Sequence, residues 1–307
     1  MRYAEHRPAA ALAPFVECLW TAEDEGDGRR DAAVAVPESV LPDGCLEWIF
    51  HVGSPYRRFV APGKAEIQPA SLLVGLITGP LWLAPTGPIA TVGVRFRPGG
   101  AHPLLRLPLE ELTDSAVATP DLFGAAGRAL EETIVSAQDL DSARSALERF
   151  LTRRLETLDQ DRRLGAAVSA VLRSGGRAAV FELARLSGWS PRQLEREFRR
   201  RVGVPPKTLS RIARFQNAMR LSARAPGASW ARVAAAAGYA DQAHLIRDFR
   251  DFSGTTPSRR HEDEGELSRH FVDPTRLDAL LDAPVDGVGV GVGVGVAFVQ
   301  DRSAPRS

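Results

Sequence analysis

The sequence predicts an α+β chain: a small β-rich amino-terminal domain with helices, followed by an all-helical domain of two helix-turn-helix units. Three observations predict it. Short β-favouring runs separated by Pro and Gly fill roughly the first 110 residues. Apolar residues spaced by three and four replace them from about Leu109 onward. Positive charge then collects in one stretch: residues 161–261 hold 20 Lys and Arg against 7 Asp and Glu, while the rest of the chain holds 19 against 31. The formal net charge of +1 hides this asymmetry. A basic segment in an otherwise acidic chain points to an anionic partner for that segment.

In the amino-terminal part, Cys45–Val52, Ser71–Ile77 and Thr91–Phe96 read as strands, and Pro42-Asp43-Gly44, Pro62-Gly63 and Pro98-Gly99-Gly100 as turns. Asp141–Leu158 reads as an amphipathic helix, with Ala143, Leu147, Phe150, Leu151, Leu155 and Leu158 on one face. The boundaries expected are 1–158 for a sensor or dimerisation domain, 159–262 for the helical domain and 263–307 for a low-complexity, flexible tail. Within that tail the Gly-Val alternation of Asp286–Val299 does not satisfy G-x-G-x-x-G and follows no strand-to-helix pattern, so it is not a dinucleotide site.

The first helix-turn-helix unit spans Ala179–Gly203. Val180, Leu183, Ala184 and Leu186 make a short helix, Gly188 ends it, and Ser190-Pro191 starts the next as N-cap and first helical residue. With Arg192 at angle zero and about 100° per residue, Leu194 and Phe198 fall near 200° and 240°, whereas Arg196, Arg200 and Gln193 fall near 40°, 80° and 100°. One side is apolar and the other carries long hydrogen-bond donors. The second unit spans Ser229–Pro257. Val233, Ala234 and Ala237 give its first helix and Gly238-Tyr239 its turn. Asp241 is the N-cap, and Leu245, Phe249 and Phe252 are the inward stripe. Between the units, Pro206 to about Ala223 reads as a long connecting helix, able to set two helices about 34 Å apart, one turn of B-DNA.

The run Leu183-Ala184…Ser187-Gly188-Trp189-Ser190-Pro191-Arg192…Leu194-Glu195-Arg196-Glu197-Phe198…Gly203-Val204-Pro205-Pro206 resembles the first unit of AraC/XylS-type regulators. Val233-Ala234…Ala237-Gly238-Tyr239-Ala240-Asp241-Gln242-Ala243-His244-Leu245…Arg247-Asp248-Phe249…Gly254-Thr255-Thr256-Pro257 resembles their second. The resemblance covers about 100 residues. It implies a helical domain that contacts two adjacent major grooves of double-stranded DNA. By position, base contacts are expected from Arg192, Gln193 and Arg196, and from Gln242, His244 and Arg247. Ala243 stands where a polar residue is frequent, which implies weaker readout there. Phosphate contacts are expected from Ser190, Arg199, Arg200, Arg214 and Arg250. Pro42-Asp43-Gly44 and Gly93–Gly100 resemble an uncharacterised domain found ahead of some such regulators, which implies sensing or dimerisation.

Other chemistry finds little support. Cys18 and Cys45 are too few for a disulfide framework and lie in no C-x-x-C metal pattern, so they read as core residues. A cysteine-based repair protein would need clustered ligands that are missing. Asp43 and Glu47 could form a carboxylate pair, but Asp43 in Pro-Asp-Gly reads as a turn residue. Neither G-x-S-x-G nor a P-loop occurs. No catalytic residue, cofactor or metal is therefore expected. Trp48, His51 and Trp82 are the candidates for a small-molecule effector pocket. The remaining expectations are a cytoplasmic, non-membrane protein without a leader segment, a homodimer as candidate assembly, and RNA polymerase as a partner if the chain activates transcription.

Overall fold

The computed structural model describes residues 1–24, 36–61, 63–155 and 162–260. The Gly-Val run and the rest of residues 263–307 lie outside the described residues. The strands are β1 (Arg2–His6), β2 (Val16–Asp24), β3 (Glu38–Val40), β4 (Leu46–His51), β5 (Tyr56–Ala61), β6 (Lys64–Ile67), β7 (Ser71–Val74), β8 (Leu81–Pro85), β9 (Ile89–Phe96) and β10 (Ala116–Ala118). They form two antiparallel sheets, ordered β1-β2-β9-β4-β7-β10 and β3-β8-β5-β6. The three expected strands correspond to β4, β7 and β9; the sequence reading names none of the others, and β10 lies just past Leu109, where the pattern is expected to turn helical.

Alternation along β4 shows how the larger sheet is covered. Leu46, Trp48 and Phe50 join the apolar cluster that includes Leu130, Ile134, Ala143, Leu147 and Leu151 of helices α2 (Thr119–Val135) and α3 (Leu140–Leu155). A small helix, α1 (Ala101–Leu105), completes that layer. Ile49 faces the smaller sheet instead, with Trp20, Tyr56 and Leu83. On this second face Arg95, only 2% exposed, is held between Asp43 at 3.4 Å and Glu47 at 2.6 Å. The Trp20 indole N–H donates to the other Glu47 oxygen at 2.8 Å. Burial pushes the Glu47 carboxyl up and the Arg95 guanidinium pulls it back. Asp43 Oδ1 accepts from the Cys45 backbone N–H, the turn role expected of it. The two carboxylates thus share one arginine and fix the turn before β4.

The helical domain comprises α4 (Arg162–Arg173), α5 (Val180–Ser187), α6 (Pro191–Val202), α7 (Pro206–Arg224), α8 (Trp230–Ala237), α9 (Gln242–Ser253) and α10 (Pro257–Arg260). Its core gathers Leu183, Leu194, Phe198, Phe215, Val233, Leu245, Phe249 and Phe252. Each such side chain contributes about 1.5–3 kcal/mol by burial. Leu41 and Leu76 of the amino-terminal domain lie in the same cluster. The Gln216 amide of α7 donates to the Pro42 carbonyl at 2.6 Å in a buried site. The two domains therefore share a core, which the separate boundaries read from the sequence did not anticipate.

Candidate nucleic-acid interface

Each unit is closed by a glycine turn of the same design. Gly188 and Gly238 take φ of +66° and +85°, where a Cβ is costly. The following N–H groups, of Trp189 and Tyr239, return to the Ala184 and Ala234 carbonyls at 3.1 and 2.9 Å, completing Schellman-type caps. Both turn aromatics are buried, and each carries a guanidinium over its ring: Arg163 on Trp189 at 5.1 Å and Arg214 on Tyr239 at 5.5 Å.

On α6 the division by angle is realised. Leu194, Phe198 and Val202 are buried, while Arg192, Gln193, Arg196, Arg199 and Arg200 are exposed. Ser190 caps the helix by accepting from the Gln193 N–H at 3.3 Å, and the Gln193 side-chain oxygen accepts from the Ser190 N–H at 2.9 Å. This capping box occupies the acceptor of Gln193. Its signature, Ser-x-x-Gln, is legible in the sequence. Arg196 is 71% exposed and rests against Glu197 at 3.3 Å. Glu197 is buried and also pairs with Arg201 at 2.9 Å, which the angular reading did not foresee. Arg199 pairs with Glu195 at 3.0 Å.

On α9, Asp241 caps by accepting from the His244 N–H at 2.7 Å. Gln242, Ala243, Arg247 and Arg250 are exposed. His244 is half-buried, its ring edge-on to Tyr239 with centroids 5.2 Å apart, so only part of it faces outward. Arg214 is placed differently from the other expected phosphate contacts. It is half-buried on α7, donating to the Gly176 carbonyl at 2.8 Å and covering Tyr239. Its guanidinium holds the domain together from inside.

An ion pair between a half-exposed arginine and a buried carboxylate, with no signal in the sequence pattern, anchors α9 to α7. Arg211 donates twice to Asp248 Oδ1, at 3.0 and 2.7 Å, and once to Asp251 at 2.6 Å. The Asp248 side chain is 2% exposed. Burial and the nearby Asp248 charge push the Tyr239 phenol well above its ordinary range.

The three expected pocket residues are not brought together. Trp48 lies in the layer under α2 and α3, donating to Thr119 Oγ1 at 2.9 Å and packing on Phe123 and Phe150. His51 is three residues on, so it points to the opposite face, where it meets Thr91 at 3.3 Å and Gln68 at 3.2 Å. Burial lowers its pKa to about 4, so the ring is neutral at neutral pH. Trp82 is 40% exposed on β8 of the other sheet. A cleft of about 570 Å³ lies elsewhere, between the domains, lined among others by Thr78, Glu110, Thr113, Arg199, Arg211 and Phe252. Cys18 and Cys45 are buried, and burial pushes both thiols up. Among the described residues no group of three or more His, Cys, Asp or Glu is placed to hold a metal ion. Nor, among them, is any helix long and apolar enough to cross a membrane.

With this geometry in place, comparison with known proteins gives two family matches. Residues 183–262 match a Helix-turn-helix domain, and residues 4–118 match a Domain of unknown function (DUF6597). No curated protein matches the chain. Among solved structures, ToxT from Vibrio cholerae at 1.65 Å resolution is 10% identical, covers 74% of this chain and 94% of its own, and has a TM-score of 0.40. Unsaturated-fatty-acid-bound wild-type ToxT from Vibrio cholerae strain SCE256 is 11% identical, covers 75% and 92%, and has a TM-score of 0.40. The chain thus carries a helix-turn-helix domain, a fold that binds DNA, behind a domain of unknown function.

Proposed function

We propose that the chain is a sequence-specific regulator that reads two adjacent major grooves of double-stranded DNA, α6 in one and α9 in the next, under control of its amino-terminal domain. The observation that carries this reading is the pair of recognition faces. Arg192, Gln193 and Arg196 on α6, and Gln242 and Arg247 on α9, are exposed side chains on helices whose opposite sides are buried. The 19 residues of α7 make a rod about 28 Å long between the units, commensurate with one turn of B-DNA. Arg can donate in bidentate fashion to guanine and Gln to adenine. The Gln193 amide donors remain available despite its capping bond, so Gln193 would act through them. Ser190, Arg199, Arg200 and Arg250 would meet phosphates and make binding salt-dependent. His244 would reach a base only with its outward edge. A small-molecule effector fits the cleft between the domains better than the dispersed Trp48, His51 and Trp82. The expected location is the cytoplasm, and no catalysis is required.

Selection of bound duplexes from a random pool at about 150 mM salt tests the reading. A two-part consensus is expected, with Arg196→Ala and Arg247→Ala each losing about 1–3 kcal/mol and relaxing one base. Variants that bind the selected site as tightly as wild type would remove these residues from the readout. Binding with no sequence preference would make the chain a structural DNA-coating protein instead.

A further inference from the structure

The amino-terminal domain touches the far ends of both candidate recognition helices, and one short clasp runs from one end to the other. Thr113 Oγ1 donates to the carbonyl of Gly203, the C-cap of α6, at 2.8 Å. The next residue, Asp114, has φ of +57°, a strained conformation for a residue other than glycine. Its carboxylate accepts from Thr78 twice, from the backbone N–H and from the hydroxyl, both at 2.6 Å. Thr78 lies in the β7–β8 loop, and that loop lies against the end of α9. A Cβ built on Gly79 would stand 3.7 Å from the Asp251 carbonyl, and one built on Gly254, the C-cap of α9, would stand 3.5 Å from Pro80. Leu76, in the same loop, is buried in the same cluster as Phe252. The chain of contact thus runs from α6 through Gly203, Thr113, Asp114, Thr78, Gly79 and Pro80 to α9. Within the helical domain the two helices are otherwise related through α7, on which both pack.

We infer that the Thr113–Asp114 step and Thr78 are positioning residues that set the separation and twist of the two recognition helices, and so determine which spacing of DNA subsites the chain accepts. The inference rests on the proposal that α6 and α9 engage DNA together. The clasp joins the C-terminal ends of the two helices and leaves their exposed N-terminal halves clear. Strain at Asp114 persists because two hydrogen bonds to Thr78 hold it, as expected of a residue whose place is over-determined. The cleft between the domains is lined by Thr78 and Thr113 themselves, so an occupant there would bear directly on the clasp.

The test measures binding of the full chain to duplexes carrying the two selected subsites at the selected spacing, and with one base pair added or removed. One base pair shifts the second subsite by about 3.4 Å and a tenth of a turn. Wild type is expected to lose about tenfold or more in affinity on either change. Asp114→Gly, which removes the carboxylate while relieving the positive φ, and Thr113→Val are expected to bind the selected spacing within a few-fold of wild type. Their penalty for the altered spacings should fall below about threefold. Thr113→Ser, which keeps the donor, should restore the wild-type penalty. Variants that weaken all spacings equally, or keep the full spacing penalty, overturn the inference. A wild-type chain that binds a single subsite as well as two overturns the two-groove reading itself.

Discussion

The two helix-turn-helix units share a turn design but pair their buried carboxylates differently. On α6, Leu194, Phe198 and Val202 supply the inward side, and the polar end is closed by the reciprocal Ser190–Gln193 box. On α9 the inward side contains a charge, Asp248, neutralised by Arg211 of α7, and the cap rests on Asp241. The difference places the long flexible donors unequally. The α6 face offers Arg192, Gln193, Arg196 and Arg200 to solvent. The α9 face offers Gln242, Ala243 and Arg247, with His244 partly withdrawn against Tyr239. Apolar packing positions both helices; on α9 it is joined by an ion pair that crosses to α7, whereas the buried Glu197 of α6 pairs with Arg196 and Arg201 of its own helix. The richer donor face belongs to α6.

The largest effect that separates the units is expected from Arg211→Ala. It would leave the Asp248 carboxylate buried without its cation, a change that costs about 3–5 kcal/mol when one partner of a buried pair is removed. Denaturant unfolding followed by circular dichroism measures it. A loss below about 1 kcal/mol would mean the pair behaves as a surface one and that packing alone holds α9. The same experiment on Arg199→Ala, whose partner Glu195 is on the exposed side of α6, should show a change within about 0.5 kcal/mol.

What the sequence made legible follows from range. Turn glycines, N-caps and inward stripes are set by residues within a few positions of one another, and Gly188, Gly238, Ser190, Asp241, Leu194 and Phe249 could be placed from spacing alone. The Arg211–Asp248 pair, the Leu41 and Leu76 insertion and the Arg95 bridge join residues tens of positions apart, and no local period marks them. Among the strands missed is β6, whose four residues are all exposed and bury no face. Trp48, His51 and Trp82 share an aromatic ring, and ring type carries no information about which face a side chain takes. Trp48 and His51 differ by an odd number of positions on one strand, and that parity sends them to opposite faces.

Acid offers a smaller and more local distinction. His102 on α1 sits near the end of α6, and its pKa is lowered to about 4, first by burial and then by the Arg201 and Arg200 charges, against Glu197. A depressed histidine is neutral in the fold, and the unfolded chain binds the proton more readily. The stability it supports is complete above pH 6.5 and is lost as pH falls from there toward 4. His51 adds to the same loss in the sheet domain. Hydrogen-exchange protection at the C-terminal turn of α6 should therefore drop more between pH 7.5 and 5 than protection at the C-terminal turn of α9. Equal drops would show that His102 does not bear on the docking of the first unit.

The sharpest distinction on the first unit concerns Ser190. Its oxygen caps α6 by accepting from the Gln193 N–H, and its hydroxyl hydrogen remains available to a phosphate. Ser190→Ala removes both and should cost about 1 kcal/mol of stability together with some DNA affinity. Ser190→Asp separates the two roles. A carboxylate caps as well as a hydroxyl and suits the positive end of the helix, so stability should stay within about 0.5 kcal/mol of wild type. Facing a phosphate, however, the same carboxylate repels, and DNA affinity should fall further than in Ser190→Ala. Thermal unfolding and DNA titration of both variants decide the matter. If Ser190→Asp binds DNA as well as Ser190→Ala, the residue is a cap and nothing more, and the start of α6 does not face the phosphate backbone.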